Sequence, residues 1–404
     1  MAELFPETIL RRASSLTIRV DADGQIAVEG PEGETACDAG HVLAVLNVFS
    51  TAVTVGEALV RLRTRVRGAQ DWLDLTNTIL QLHEAGILMA EGEARPAIDS
   101  EARGFAAPEV HVSMLNDRER TAAFLTAIQE TVRPGDVVVD IGTGTGILAI
   151  AAARAGARHV YAIESSSIGQ VANLMFEANG LASRITLLEG RSTHVELPEK
   201  ADVLIGEIIR NAPLGERVLE TFLDARTRFL KPDARFVPEM LSIFGIPIEI
   251  PAADLSIHTF TPEAAARWRE AYGMDFSPLA VVAAEPGQSF LARRSEARRW
   301  RWLSDPIRLV DIDLRLHTAA EVLSTASAPA TASGVINGLA IFFELRVSSC
   351  ARLSTAPSVS GEHSHWRNPV EILPEALKVQ AGDPLAVTYR YGVPGPRVEV
   401  GIRS

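Results

Sequence analysis

The 404-residue chain has only two cysteines, Cys37 and Cys350, and they stand far apart. Two isolated thiols make neither a disulfide framework nor a zinc site, so no metal is expected, and both side chains read as small buried hydrophobes of a reducing compartment. Long apolar runs are missing as well. The most apolar-leaning stretch, 42–55, is broken by Asn47, Ser50, Thr51 and Thr54, and the opening MAELFPETILRRASS has no apolar core of the kind found in export signals. No membrane partner is expected, and the expected location is cytoplasmic. Positive charge is scarce: 39 Lys and Arg stand against 51 Asp and Glu, a formal charge of -12. Nucleic-acid backbones are bound by concentrated basic residues, so no nucleic-acid partner is expected, and a cationic substrate fits better. Internal repeats are absent, and the one biased run, STASAPATASG at 324–334, reads as a loop.

What is present suffices for two or three cores, since 47% of the residues are apolar and 22% charged. AEGEARPAIDSEARG at 90–104 is rich in charge and small residues and reads as a linker, centred on 93–104. Ahead of it, in 1–92, LTIRV and QIAVE alternate around the turn Asp21-Ala22-Asp23-Gly24 as a hairpin. Apolar residues then recur at helical spacing over 41–49, 56–66 and 72–83, before a short strand in GILMA. A small α+β domain is expected there. Over 105–238, the strand-like runs VVVD, VYAIE, ITLLE and DVLIGE each precede a helical pattern, which is the mark of a parallel sheet covered by helices. Over 239–404, short β-branched runs such as LSIFGIPIEI, IRLVDIDLRL and AIFFELRV predict an antiparallel barrel or sandwich.

The chemistry centres on VVVDIGTGTGILAIAAARAG. A hydrophobic strand ends at Asp140, and Gly142, Gly144 and Gly146 lie in the turn that opens a helix from Ile147, so backbone can approach a ligand where any side chain would block it. The same geometry suits a dinucleotide, whose pyrophosphate sits on the helix N-terminus. Glu164, at the end of the second strand, can accept both hydroxyls of a ribose with either ligand.

From about Phe105 onward, some three quarters of the chain resembles the protein arginine methyltransferases. VHVSMLNDRERTAAFLTAI is similar to that family's first helical motif. By this match His111, Met114, Asp117 and Arg120 lie against S-adenosylmethionine, with Arg120 pairing the carboxylate of its methionine moiety, a task that suits an Arg fork. The resemblance makes S-adenosylmethionine the implied cofactor. It adds Asp140, Gly142, Thr143, Gly144, Gly146, Ile147, Glu164, Ser165, Gly190, Arg191, Ser192 and Glu207 to the cofactor set. The implied fold is a seven-stranded Rossmann-like methyltransferase sheet followed by a β-barrel.

DVLIGEIIRNAPLGERVLE matches the family's pair of glutamates, Glu207 and Glu216. Two converging carboxylates can grip a cation and hold one nitrogen towards a sulfonium methyl. LSTAPSVSGEHSHWRNP resembles the family's barrel motif, with Ser364 in place of a threonine; His365 then pairs with Asp117, and Trp366 walls the substrate slot. These five residues are the implied catalytic set. TPEAAARWREAYGMDFSPL looks like the arm, at about 258–300, that joins two subunits, with Tyr272, Gly273 and Asp275 at matching places, so a homodimer is implied. The chain departs from the family where Trp-Met-Gly-Tyr is common: it carries Ile208, Ile209, Arg210 and Asn211. Arg210 either repels an arginine substrate or occupies one carboxylate until substrate arrives. Phe105 replaces a Tyr, and Thr193 an adenine-binding glutamate.

Residues 1–104 lie outside that pattern and resemble the small winged-helix modules that capture leader peptides, of the PqqD kind. Nine basic against sixteen acidic residues there oppose DNA binding. A leader adding a strand to the hairpin fits the charge better, and a domain that merely stabilises the dimer is the plainer alternative. The resulting expectation is an S-adenosylmethionine-dependent N-methyltransferase acting on an arginine or amine nitrogen of a ribosomally made precursor peptide. An arginine methyltransferase acting on cellular proteins and a cofactor-sensing regulator with little activity are the alternatives.

Overall fold

VVVDI is apolar on both sides of the strand, and such a run is stable only where both faces are covered. In the computed structural model, which describes residues 4–13, 16–20, 26–30, 33–37, 41–90, 107–280, 288–359, 364–392 and 397–402, all five of its residues are buried. The chain divides into two units, Met1–Pro108 and Glu109–Ser404.

The first unit carries β1 (Ile9–Arg12), β2 (Thr17–Val20), β3 (Ile26–Gly30), β4 (Gly33–Cys37), α1 (Val42–Val48), β5 (Val53–Thr54), α2 (Val55–Leu62), α3 (Ala69–Glu84) and β6 (Leu88–Ala90). Thr54 caps α2, its hydroxyl oxygen accepting from the Glu57 amide at 3.1 Å, and Val55, Ala58 and Leu62 form the buried stripe that helical spacing dictates. Against them pack Val45, Leu46 and Phe49 from α1 and its C-cap, and Leu75, Ile79 and Leu82 of α3. Two small antiparallel sheets complete the unit, in the orders β5-β1-β6 and β2-β3-β4. The hairpin, the three helices and the last strand were legible. The strands β1, β4 and β5 were not, because they are short and ILRR and GETAC hide their alternation behind charge. The hairpin turn at 21–24 and the linker residues 93–104 lie outside the described residues.

The second unit opens with α4 (Pro108–Asn116) and α5 (Arg118–Thr131), then alternates β7 (Val137–Ile141), α6 (Ile147–Ala155), β8 (His159–Glu164), α7 (Ile168–Ala178), β9 (Ile185–Glu189), β10 (Ala201–Gly206), α8 (Val218–Arg228) and β11 (Leu230–Val237). The strands form a parallel sheet in the order β11-β10-β7-β8-β9. Chain order runs outward one way from β7, then returns to its other side at β10, so β7 is the switch point at which open parallel sheets bind ligands beyond the strand ends. The seven-strand expectation is corrected: the described sheet has five strands. After β11 the chain leaves at once for β12 (Met240–Glu249), which pairs antiparallel with β17 and β15 instead of extending the parallel layer.

The rest is a β-barrel-like antiparallel domain made of β12, β13 (Ser289–Ala292), β14 (Arg301–Trp302), β15 (Ile307–Asp313), β16 (Val322–Pro329), β17 (Gly334–Arg346), β18 (Arg352–Ser354), β19 (Asn368–Val379), β20 (Pro384–Tyr391) and β21 (Arg397–Ile402). Three helices, α9 (Ala252–His258), α10 (Pro262–Tyr272) and α11 (Arg294–Arg299), interrupt it. One apolar core runs without a break from the parallel strands and α8 into Leu309, Phe343, Trp366 and Tyr389 of the barrel. Two sequence readings are overturned here. Residues 324–329 are strand rather than loop: Ser324, Ala326 and Ala328 are half-buried while Thr325 and Ser327 face solvent as β16 pairs with β20. Cys350 is exposed, in the turn between β17 and β18.

Candidate active site

The three glycines hold the turn after β7 in positive φ, at +74°, +56° and +83° for Gly142, Gly144 and Gly146. A Cβ on Gly146 would sit 2.4 Å from Cε1 of Phe176, and one on Gly142 would sit 2.6 Å from Cγ2 of Ile208. The second contact brings the loop after β10 onto the glycine turn. The turn is also pinned to β8: the amides of Gly142 and Thr143 donate to the Ile163 carbonyl at 2.9 and 3.0 Å, and the Gly144 amide donates to Glu164 Oε2 at 3.0 Å. Glu164 Oε1 accepts from the amides of Ser165 and Ser166 and from the Ser166 hydroxyl at 2.8–2.9 Å. Ser166 carries no motif signal and was missed.

Asp140 is fully buried at the end of β7. Its Oδ2 accepts from the Thr143 hydroxyl at 2.6 Å, while Oδ1 has no partner. Burial drives its proton affinity up to about 7, with Glu164 adding to the rise and the Thr143 bond opposing it. His111, buried on α4, packs its ring against Gly144, while Met114 of the same helix is partly exposed. Across β8, Gly190 donates its amide to the Glu164 carbonyl at 2.8 Å; Ser192 is buried, whereas Ser165, Arg191 and Thr193 are exposed. Ile147 begins α6 and packs on the core. Phe105 lies outside the described residues.

Asp117 caps α5, accepting from the Arg120 amide at 3.1 Å, and it is also where the barrel meets this sheet. Both the amide and Nδ1 of His365 lie 3.1 Å from its Oδ2. Burial pushes Asp117 up, but these hydrogen bonds outweigh it and leave the carboxyl below its ordinary range. His365 shifts down, through burial first and the nearby Arg120 and Arg294 cations, with Asp117 opposing, so the imidazole gives up its proton more readily than a free one. Trp366 donates its indole N–H to the Ile209 carbonyl at 2.9 Å, and the Arg367 amide donates to Asn211 Oδ1 at 2.7 Å. The His-Trp segment is thereby stapled to the loop between the two glutamates.

Each of those glutamates holds a guanidinium. Glu207, nearly inaccessible, is ion-paired with Arg120, whose guanidinium carbon lies 5.8 Å from the Trp366 ring centroid. Burial pulls Arg120 down to about 10. Its Nε and the Oε1 of Glu207 remain without partners. Glu216 is paired with Arg210. Burial raises Glu216, with the Glu164 charge adding to the rise and Arg210 opposing it, so Glu216 shares an electrostatic neighbourhood with the glycine turn. Arg217, which follows Glu216, has φ +59°, a left-handed geometry that non-glycine residues adopt at a cost, and such strain concentrates at functional sites. Arg294 of α11 was also missed: it donates to the Ser364 hydroxyl at 3.0 Å, and no motif marks it in RRSEARRW. Among the described residues no cluster of His, Cys, Asp and Glu could hold a metal, and no helix is long and apolar enough to cross a membrane.

The sites fit S-adenosylmethionine on the chain's own evidence. A side chain on the glycine cradle would collide with its neighbours, and the unsatisfied polar atoms of Asp140, Arg120 and Glu207 gather around the ends of β7 and β10. Comparison with known proteins agrees. A family model described as ribosomal protein L11 methyltransferase (PrmA) matches residues 117–239, and one described as arginine methyltransferase oligomerization subdomain matches 252–391. An arginine N(omega)-methyltransferase of Streptomyces achromogenes subsp. streptozoticus is 32% identical over 69% of this chain and 75% of its own length. Protein arginine N-methyltransferase 1 of Schizosaccharomyces pombe is 32% identical over 68% and 79%. Among solved structures, the Trypanosoma brucei PRMT1 enzyme-prozyme complex with AdoHcy has TM-score 0.63 at 24% identity, covering 75% of this chain and 96% of that one. Sequence, fold and site therefore identify the chain as a member of the arginine methyltransferase family, an enzyme that uses S-adenosylmethionine.

Proposed function

We propose that this enzyme methylates a guanidinium nitrogen of arginine in a precursor peptide whose leader is held by the N-terminal unit. The observation that carries the acceptor is that Glu207 and Glu216 each already bind a guanidinium, those of Arg120 and Arg210. Planar forked cations are what paired carboxylates of this kind recognise. When bound, S-adenosylmethionine supplies an electrophilic methyl on its sulfonium. Gly142, Gly144 and Gly146 would leave room for it, Arg120 would pair with its carboxylate, and Glu164 would hold its ribose. Glu207 and Glu216 orient the accepting nitrogen, with Trp366 as the wall of the slot. Each transfer releases one proton, and Glu216, whose proton affinity burial raises, is suited to take it. Asp117 and His365 lock the barrel loop to α5 and so position Trp366.

The leader reading is supported by β2, an edge strand exposed at every residue, where Ile18 and Val20 stand open to solvent. An extended peptide can add to such an edge, which tethers the core segment and raises its local concentration. The winged-helix likeness of this unit is part of the same proposal. A homodimer is supported by apolar side chains exposed on the arm, Ile257, Tyr272, Met274 and Leu279, and by others exposed on α4, α5 and α7, including Val112, Leu115 and Met175. A reducing cytoplasm suits the exposed thiol of Cys350. Methylation of arginine in cellular proteins, with a regulatory front unit, is the second reading, favoured by the names of relatives such as the S. pombe enzyme. The test is incubation with S-adenosylmethionine and arginine peptides, with and without leader segments, and fragmentation mass spectrometry of the products. A methyl on the guanidinium and leader-dependent turnover are expected. A methyl on oxygen or carbon overturns the acceptor, and loss of leader dependence overturns the role of the front unit.

A further inference from the structure

β13 ends at Ala292, which pairs with Asn368 at the start of β19; were that ladder extended by two residues, Arg294 would stand opposite Trp366. The chain turns into α11 instead, and this short helix is fastened on both sides. The Arg293 amide donates to Glu296 Oε2 at 2.7 Å, Ala297 is buried, and just beyond the helix the Trp300 indole donates to Asp254 Oδ2 of α9 at 2.8 Å. Arg294 is therefore delivered to the His365-Trp366 segment by held structure. It meets that segment at one atom. Ser364 Oγ accepts from Arg294 Nη2 at 3.0 Å and from the Trp366 amide at 3.3 Å, so a single hydroxyl oxygen joins α11 to the residue that walls the acceptor slot.

An arginine is a costly residue to place here. Its Nε and Nη1 are enclosed and have no hydrogen-bond partner, and burial lowers its proton affinity, with the Glu119 and Asp117 charges opposing. Buried donors are normally partnered, and bare ones cost free energy that an apolar side chain would avoid; such exceptions concentrate at functional sites. What the arginine supplies in return is a hydrogen bond to Ser364 and a cation beside Asp117 and His365. The charged groups facing His365 are Asp117 and Arg120 from the α5 side and Arg294 from α11, and Glu119 faces Arg294. We propose that Arg294 is a positioning residue for methyl transfer, which holds the Asp117–His365 contact with its charge and the backbone of Trp366 through the Ser364 hydroxyl. This rests on the reading of Trp366 as the wall of the acceptor slot. Because Arg294 acts through Ser364 and His365, its loss is expected in the rate of transfer and not in cofactor affinity.

Arg294→Met, Arg294→Lys, Ser364→Ala and the double change Arg294→Met with Ser364→Ala separate the two routes. For the full-length chain and each variant, kcat and KM are measured across pH for transfer to acetyl-Gly-Arg-Gly-amide, and S-adenosylhomocysteine binding by calorimetry. The His365 titration is followed by NMR of protein labelled at histidine Cε1, its signal assigned by its absence in His365→Gln. Arg294→Met should lower kcat about tenfold, the scale of one lost charge-assisted contact, and leave S-adenosylhomocysteine affinity within about twofold. It should also move the His365 titration to higher pH, because a cation that disfavours the protonated ring is gone. Arg294→Lys should restore the His365 titration and part of kcat, since it returns the charge without the fork. Ser364→Ala should lower kcat and leave the titration in place, and the double variant should lose less than the product of the two single losses. An Arg294→Met enzyme with kcat within about twofold of wild type, single losses that multiply, or a His365 titration that Arg294→Met leaves unmoved overturns the proposal. So does an Arg294→Met loss that Arg294→Lys restores in no part, which marks a merely structural role. Failure of the acceptor reading looks different: wild type then transfers no methyl to the arginine peptide, and the His365 titration still decides whether Arg294 acts on the Asp117–His365 contact.

Discussion

Replacing Glu207 by Gln should expose how much of this site is held together by one buried ion pair. The side chains of Glu207 and Arg120 are only 6% and 10% exposed, and Arg120 Nε already lacks a hydrogen-bond partner. A neutral amide at position 207 leaves the buried Arg120 cation without its ion-pair partner, with the Asp117 charge still favouring it, which costs up to about 3–5 kcal/mol, whereas removing both charges of the pair costs less. Arg120→Met alone strands the carboxylate instead and also removes the cation facing Trp366. In a double-mutant cycle, the two changes together should cost less than their sum by about 2 kcal/mol or more. The assay is urea unfolding of the cofactor-free full-length chain, followed by near-ultraviolet circular dichroism. Additive penalties, or single penalties under about 1 kcal/mol, would refute the view of the pair as a closed, desolvated contact.

Gly146→Ala should destabilise by about 3 kcal/mol, since its Cβ would meet Phe176 at 2.4 Å and the residue would keep φ +83°; thermal unfolding checks it. Asp140, whose folded-state proton affinity is raised to about 7, contributes stability that is fully present below its unfolded pKa of about 4 and is lost as pH rises through 7. Asp140→Asn should therefore flatten the fall in stability between those two pH values, measured by urea titration at each pH. Ile18→Asp combined with Val20→Asp should weaken leader-peptide binding in fluorescence anisotropy while leaving methylation of a leaderless arginine peptide unchanged. An unchanged leader affinity would remove β2 from the binding surface.

The parallel strands and the glycine turn were legible because they are governed locally: runs buried on both faces must be apolar, and a turn at positive φ calls for glycine. The pairing of Asp117 with His365 came only through resemblance, since 248 residues separate them. Short strands escaped notice for a different reason. GETAC and the Ser/Ala run of β16 carry too little hydrophobic contrast to show their alternation. Arg210 was visible as a cation between two acids, but nothing in the order of residues says which acid it meets. The bonds from Trp366 and Arg367 to residues 209 and 211 decide that, and they exist only once the barrel has closed on the loop. Arg294 was invisible for the same reason, because Ser364 is 70 residues away.

The central claim is that two acidic side chains of one loop present the accepting nitrogen, while the glycine turn carries the cofactor. Its most direct test is a single-turnover methyl-transfer assay on Glu207→Gln and Glu216→Gln, with S-adenosylmethionine affinity measured in parallel. Transfer slowed by about a hundredfold or more is the expected result for both, with cofactor binding within about threefold of wild type for Glu216→Gln, which leaves the Arg120–Glu207 pair intact. Transfer at the wild-type rate by either variant, with cofactor bound, would contradict it.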